Sequence, residues 1–192
     1  VNSVAIQSEK RAFRYFLGPR FVCSVNRNRS DANSHFTLAI IFSIALAVYL
    51  LELITKIWAV TSLEGRPARY IIGRFLRWEF ARNPGAAFSS FTGATFALTL
   101  ISIVVLFYLF IRTPQVSVRA WSFPWGGLIG GVLGNVSDRI FRDPGPFRGH
   151  VVDWIGLPNW ALFNIADAAI VLSVLIMATL SWRGSTFRGG AE

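Results

Sequence analysis

Two aspartates stand in apolar sequence, where a carboxylate is costly. Asp153 lies within "HVVDWI", and Asp167 opens the apolar segment "FNIADAAIVLSVLIMATLSW". A charged side chain inside a membrane costs about 2.5 to 3.5 kcal/mol, so such an aspartate is a candidate functional group. If the two carboxyl groups lie close together, they share a proton. One carboxylate can then activate a water molecule while the other acid protonates a carbonyl oxygen or a leaving amine, with no metal or cofactor.

The spacing Asn-x-x-Asp occurs twice in the chain. Asn135 and Asp138 form it in "GNVSDR", and Asn164 and Asp167 form it in "FNIAD". Residues three apart share one face of a helix, so each amide and carboxylate could instead be a structural contact between helices. Arg139 offers Asp138 a neighbouring salt-bridge partner, which favours a structural role for that aspartate. Asp167 has no basic neighbour in its own helix, which favours a functional role.

Three further polar residues have simple structural interpretations. Glu52 and Lys56 are four residues apart with the acid first, the favourable order for an ion pair on a helix. We interpret them mainly as a pair that neutralises itself at a helix end, with Lys56 extending to the membrane interface. Asn83 begins "NPGAAF", and Asn-Pro-Gly alone predicts a plain turn.

The composition is typical of a membrane protein. Of the 192 residues, 53% are hydrophobic and 15% are charged, against about 25% charged in a soluble domain. The formal net charge of +9 therefore points to anionic lipid headgroups and membrane topology rather than to a nucleic-acid partner. The single cysteine, Cys23, excludes an internal disulfide and a site with several cysteine ligands to a metal.

Four apolar segments predict membrane-spanning helices, because a span needs about 20 residues. The third is the least apolar, but glycines recur in it at a spacing of four, which lets helix backbones approach closely in lipid. A glycine-rich re-entrant loop is the alternative. If the fourth helix begins near residue 160, Asp167 lies about 10 Å into it. The predicted spans are about 36–60, 94–111, 120–138 and 160–182.

The segments outside the spans complete the predicted organisation. Residues 1–35 form a basic arm that we expect to be disordered, and residues 183–192 form a short tail. Alternating residues within 63–92 predict short strands at the membrane surface. Four spans bring nearly all the unusual polar residues to one face. Basic residues are slightly more numerous on the other face, which predicts cytoplasmic termini and a polar cluster on the outside.

Read together, four motifs closely resemble the lipoprotein signal peptidases (signal peptidase II). They are "NPGAAFS", "GNVSDR", "VVDW" and "FNIAD", in this order, and the resemblance covers about residues 40–182. It implies a mainly α integral membrane protein with four transmembrane helices and a small extracytoplasmic β-cradle between the first two. It also implies a monomeric aspartyl endopeptidase of the bacterial cytoplasmic membrane, inhibited by globomycin and free of cofactors. Its substrates would be diacylglyceryl-modified prolipoproteins, cut just before the lipidated cysteine among membrane lipids.

The same resemblance assigns roles to individual residues. Asp153 and Asp167 match the catalytic dyad, and Asn83 matches an asparagine near the substrate. One position departs from the family, whose first helix usually carries Asp-x-x-x-Lys where this chain has Glu52 and Lys56. Because the glutamate is longer than the usual aspartate, the resemblance does not determine the supporting contacts of that helix. The residues that match supporting or substrate-binding positions are Asn83, Asn135, Asp138, Arg139, Asn164, Glu52 and Lys56.

Other function classes have less support in the sequence. The chain lacks the Gly-x-Ser-Gly of rhomboid-like proteases, the Gly-x-Gly-Asp of presenilin-like ones and the His-Glu-x-x-His of zinc proteases. It also lacks the clustered aspartate repeats of a metal-dependent phospholipid transferase. A transporter or assembly subunit that uses the buried acids as an ion relay remains an alternative. Such a protein would keep partial function without the Asp153 charge, whereas a dyad would lose nearly all of it.

Overall fold

The computed structural model describes residues 19–85 and 94–188, with the side chains of residues 34–85 and 95–188. The chain divides into two units, Val1–Phe36 and Thr37–Glu192, and all the residues whose side-chain contacts are described below lie in the second. The elements are α1 (Pro19–Leu63), β1 (Arg69–Ile72), β2 (Leu76–Asn83), α2 (Ala94–Arg112), a short 3-10 helix (Thr113–Gln115), α3 (Arg119–Phe141), β3 (Val151–Gly156) and α4 (Ile165–Trp182).

The predicted N-terminal arm, residues 1–35, overlaps the beginning of α1. The backbone is already helical at Pro19, so the second half of the predicted arm belongs to α1. The predicted disorder of residues 1–18 lies outside the described residues, as do residues 86–93 of the predicted surface segment and residues 189–192 of the tail.

Among the described residues, three helices are long and apolar enough to cross a membrane: Ser34–Leu63, Thr95–Gln115 and Ile165–Trp182. Many of their large apolar side chains are exposed, among them Leu46 at 57% and Val104 at 66%. Such a surface is costly in water and suited to lipid. The chain is therefore a multi-pass, mainly α membrane protein, and the predicted fold class is confirmed.

The third predicted span, α3, is a continuous helix whose glycines contact two different neighbours. A Cβ on Gly130 would lie 2.5 Å from the carbonyl oxygen of Ala45 in α1. A Cβ on Gly131 would lie 2.8 Å from the carbonyl oxygen of Ala166 in α4. Each glycine series therefore lets α3 pack closely against one flanking helix. The alternative of a re-entrant loop is wrong, because the helix runs unbroken over Arg119–Phe141.

The small sheet uses a strand that the sequence did not predict. β1 and β2 form an antiparallel hairpin within the predicted surface segment, and β3 pairs with β2 to give the order β1-β2-β3. The cradle is therefore not built only between the first two helices, because β3 lies between α3 and α4. Both faces of β3 are buried, so its sequence lacks the alternation that indicates a half-buried strand.

Helix α4 begins later than predicted, at Ile165, because Asn164 caps it. The Asn164 side chain accepts the backbone N–H of Asp167, and the Asp167 side chain accepts the backbone N–H of Asn164. This reciprocal arrangement is a capping box, which satisfies two free amides at a helix N-terminus. Asp167 consequently stands in the first turn of α4, and the predicted depth of about 10 Å within the helix is wrong.

Candidate active site

Strand pairing brings Asp153 of β3 against Asn83 at the end of β2. The Asn83 Nδ2 donates to Asp153 Oδ2 at 2.7 Å, and the Asp153 residue is 1% exposed. The orientation of the Asn83 amide is set by the following turn, because its Oδ1 accepts the N–H of Gly85 at 2.7 Å. The Asn-Pro-Gly turn that the sequence predicts is thus also the device that aims an amide donor at Asp153.

Asn164 joins the two aspartates directly. Its Nδ2 donates to Asp153 Oδ1 at 2.7 Å, while its Oδ1 accepts the Asp167 backbone N–H at 2.9 Å. Asn164 itself is fully buried. Asn164, which caps α4, therefore also holds Asp153 beside the first turn of that helix.

Asn135 of α3 holds the carboxylate of Asp167. Its Nδ2 donates to Asp167 Oδ1 at 2.8 Å. Its Oδ1 accepts from Lys56 Nζ at 3.1 Å and from Asn164 Nδ2 at 3.2 Å. With both ends of its amide engaged, Asn135 has a defined orientation, and it connects Asp167 to the buried lysine of α1.

Lys56 is the centre of a buried charge cluster. Its Nζ lies 2.6 Å from Glu52 Oε1 and 2.8 Å from Asp138 Oδ2. The predicted ion pair between Glu52 and Lys56 is confirmed. The prediction that Lys56 extends to the interface is wrong, because the residue is only 1% exposed. Two carboxylates and an amide oxygen around one ammonium supply the partners that a buried charge requires.

Asp138 pairs with Lys56 and Arg142, and not with Arg139 as the sequence suggested. Its Oδ2 also accepts the N–H of Val152 at 3.0 Å, which ties α3 to β3. Adjacent residues of a helix point in different directions, whereas residues four apart share a face. Arg142 was missed in the sequence, although its i+4 spacing from Asp138 in "DRIFR" was a usable signal.

Arg139 lies within electrostatic range of three aspartates. It is 9% exposed, and its guanidinium interacts electrostatically with Asp153, Asp167 and Asp138. Its Nη1 is buried and makes no hydrogen bond within the part of the chain that the structure describes. A positive charge with an available donor therefore lies near the two carboxyl groups.

Glu52 contacts the start of α4. Its Oε2 accepts the N–H of Ala166 at 3.0 Å, one of the amides that the first turn of a helix leaves free. Gly134 leaves room for the Glu52 side chain, since a Cβ there would lie 2.8 Å from Glu52 Cγ. The glutamate at this position therefore spans the distance from α1 to the backbone next to Asp167.

The electrostatic environment sets the protonation of Asp153. Burial raises the pKa of Asp153 to about 6, and the nearby charge of Asp167 acts in the same direction. The hydrogen bonds from Asn83 and Asn164 oppose this increase, since they stabilise the carboxylate form. Asp153 therefore changes its protonation close to neutral pH, as a general acid or base must.

A cavity opens beside Asp153. Its volume is about 300 Å³. It is lined by Ala81, Arg82, Asn83, Pro84, Asp153, Ala161 and Leu162. Across residues 19–85 and 94–188, no three His, Cys, Asp or Glu side chains gather to hold a metal ion.

All nine residues singled out in the sequence meet at one end of the helices. Asn83, Asn164, Asn135 and Arg139 surround the two aspartates, and Glu52, Lys56 and Asp138 form the charge cluster beside them. Ala161 and Leu162, which line the cavity, had no signal in the sequence because their type and spacing are ordinary.

Comparison with known proteins identifies relatives. A family model described as "Signal peptidase (SPase) II" matches residues 44–183. The lipoprotein signal peptidase of Leifsonia xyli subsp. xyli is 38% identical over 167 residues, covering 86% of this chain and 76% of that protein. The lipoprotein signal peptidase of Mycobacterium tuberculosis is 40% identical over 151 residues, covering 78% of this chain and 74% of that one.

Two solved structures share the fold of this chain. A bacterial membrane enzyme determined by the in meso method at 2.3 Å resolution matches with a TM-score of 0.65 and 25% identity, over 74% of this chain and 87% of that chain. A second, at 1.9 Å resolution, has a TM-score of 0.67 over 76% and 94% of the two chains, and at 24% identity it bears on the fold alone. The family match covers well over half of the sequence and includes all four motifs around the two aspartates, so the chain belongs to the lipoprotein signal peptidase (signal peptidase II) family.

Proposed function

We propose that this protein is an aspartyl endopeptidase that removes signal peptides from diacylglyceryl-modified prolipoproteins, cutting just before the lipidated cysteine. Asp153 and Asp167 form its catalytic dyad. The observation that carries the proposal is the link between them: Asn164 donates to the Asp153 carboxylate and accepts the Asp167 amide. Family membership supports the substrate class, and the buried carboxyl group of Asp153 beside the half-buried Asp167 supports the chemistry.

The dyad activates water and protonates the substrate. One carboxylate removes a proton from a water molecule, whose oxygen attacks the carbonyl carbon of the peptide bond before the cysteine. The other carboxyl group donates its proton to the carbonyl oxygen, and a proton then passes to the leaving amine as the carbon–nitrogen bond breaks. A pKa of about 6 for Asp153 favours this sharing of one proton near neutral pH. Arg139 offsets negative charge that develops on the carbonyl oxygen.

The surrounding residues position the dyad. Lys56 holds the Asn135 amide, which in turn holds Asp167, while Glu52 binds the backbone at Ala166. Asp138 ties β3 to this cluster through Val152. Catalysis requires each carboxyl group to be held within a fraction of an ångström of its working position, and these supporting contacts provide that accuracy.

The substrate approaches from the membrane. The cavity beside Asp153 receives the peptide segment next to the scissile bond, with Asn83 at its wall. Because the dyad stands at the start of α4, the acyl chains of the substrate lie in the lipid alongside the helices. We place the protein in the bacterial cytoplasmic membrane as a monomer, with cytoplasmic termini and the dyad at the extracytoplasmic face. The catalytic domain spans about residues 36–182, and no cofactor takes part.

A cleavage assay tests this function. Purified protein is incubated with a diacylglyceryl-modified prolipoprotein, and the product is followed by its shift on a gel. We expect Asp153→Asn and Asp167→Asn each to lower the rate at least about 100-fold, the usual contribution of an acid or base. Asp143→Asn is the matched control, since Asp143 is an exposed aspartate in the loop after α3, and it should cut like wild type. Substantial cleavage by Asp153→Asn would contradict the dyad, whereas no cleavage by wild type or variant, with no binding of globomycin, would favour an ion relay.

A further inference from the structure

Two arginines converge at the end of the helices opposite the dyad. Arg112 closes α2, and Arg188 lies in the tail after α4. Both donate to the same neutral oxygen, Gln115 Oε1: Arg112 Nη1 at 2.9 Å and Arg188 Nη2 at 2.6 Å. Because both nitrogens donate to one oxygen, they lie close together. Two positive charges are therefore adjacent.

Aromatic side chains hold both guanidinium groups in place. The Arg112 guanidinium lies 5.5 Å from the centre of the Tyr108 ring, and its Nε reaches the Tyr108 hydroxyl at 3.4 Å. The Arg188 guanidinium lies 5.5 Å from the centre of the Phe187 ring. Phe187 is itself anchored, because its carbonyl accepts the N–H of Ser117 at 2.9 Å. The charges are thus preorganised rather than spread on mobile side chains.

No acid balances this pair in the described part of the chain. Residues 105–122 and 177–188 contain no Asp or Glu, and neither arginine forms an ion pair with a described residue. Each guanidinium has five N–H donors, of which Gln115 and Tyr108 engage only a few. Two fixed cations with free donors and no counter-charge form a binding site for an anion of the phosphate type.

The position of the pair indicates the source of that phosphate. Gln115 marks the end of the membrane-spanning segment Thr95–Gln115. The side of α2 that leads to it exposes apolar side chains, including Phe107 at 66% and Ile111 at 54%. A phosphate bound by Arg112 and Arg188 would therefore stand at headgroup level, with acyl chains lying along α2.

We propose that Arg112 and Arg188 bind the phosphate of one anionic phospholipid at the end of the bundle opposite the dyad. The phosphodiester bridges the two guanidinium groups above Gln115, and the acyl chains pack against the exposed face of α2. Binding of this lipid fastens the tail to the end of α2. The site is independent of the cleavage chemistry proposed above.

Native mass spectrometry of the delipidated full chain in detergent tests the proposal. Phosphatidylglycerol and phosphatidylcholine with identical acyl chains are compared on wild type and on the double variant Arg112→Gln/Arg188→Gln. We expect phosphatidylglycerol to bind the double variant at least about tenfold more weakly than wild type. The matched control Arg66→Gln/Arg74→Gln removes the same charge from exposed arginines near the hairpin, and it should bind like wild type.

Each other outcome overturns the proposal. Equal binding of phosphatidylglycerol to wild type and to the double variant would remove the site. If wild type binds phosphatidylcholine as tightly as phosphatidylglycerol, the site does not recognise the charge of the lipid. If inorganic phosphate binds wild type as tightly as phosphatidylglycerol does, the site takes a free anion and not a lipid. Should the double variant not fold, Arg188→Gln alone removes an exposed side chain and should still weaken binding about threefold; unchanged binding again overturns the proposal.

Discussion

Replacing Asn83 with alanine removes the hydrogen bond of 2.7 Å from its amide to Asp153. That bond stabilises the charged form of a buried carboxyl group, so its loss raises the pKa of Asp153 further above about 6. Hydrogen bonds to charged groups contribute about 1.5 to 3 kcal/mol, and 1.36 kcal/mol corresponds to one pH unit. Because the cavity beside Asp153 admits water that partly replaces the amide, the lower end of this range applies, about one pH unit.

The pH dependence of kcat/KM for cleavage measures this change. The wild-type profile should have a limb near pH 6, where Asp153 titrates, and in Asn83→Ala that limb should lie about one pH unit higher. The direction is the same whether Asp153 acts as the acid or as the base, since the substitution only raises its pKa. The proposed roles differ in the consequence: at pH 6.5 a base becomes less available and an acid more available.

Asn159→Gly is the matched control for this measurement. Asn159 is an exposed asparagine in the loop after β3, with a φ of 56° that glycine adopts freely. Its profile should coincide with that of wild type. If the limb of the Asn83→Ala pH profile stays in place or moves to lower pH, the hydrogen bond from Asn83 does not control the protonation of Asp153.

The remaining predictions concern stability in detergent, measured by thermal unfolding. Because the pKa of Asp153 is raised from 3.8 to about 6, the folded protein binds this proton more tightly than the unfolded chain does. The free energy of unfolding should therefore fall by at most about 3 kcal/mol as the pH rises through that window. Asp153→Asn should lack this fall, and the same pH dependence in the variant as in wild type would contradict the prediction. Gly130→Ala places a methyl group 2.5 Å from the carbonyl oxygen of Ala45, which should separate α1 from α3 and cost about 1 to 3 kcal/mol; an unchanged melting temperature would disprove the close packing. Lys56→Met leaves two buried carboxylates, one of them Asp138, without the cation that they share. It should lower the free energy of unfolding by about 3 to 5 kcal/mol. A variant as stable as wild type would show that the two carboxylates do not need the lysine charge.

Much of the architecture was determined by the sequence alone. Hydropathy and glycine spacing are local properties, so the four helices and the close packing of the third were predictable from consecutive residues. The family and the two aspartates were also predictable, because a carboxylate in apolar sequence is rare and the four motifs occur in a characteristic order. The boundaries were less accurate, since the start of α4 depends on the capping contacts of Asn164.

Only the tertiary structure decided the partners of these residues. Asn83 meets Asp153 from 70 positions away, and Glu52 meets Ala166 from 114 positions away. No local pattern encodes such contacts, which is why Lys56 was expected at the interface and Asp138 was assigned to Arg139. β3 was missed for a related reason, because a strand buried on both faces looks like any short apolar run. The pKa of Asp153 likewise follows from burial and from amides contributed by other elements, since the protonation of a carboxyl group depends on what surrounds it in space.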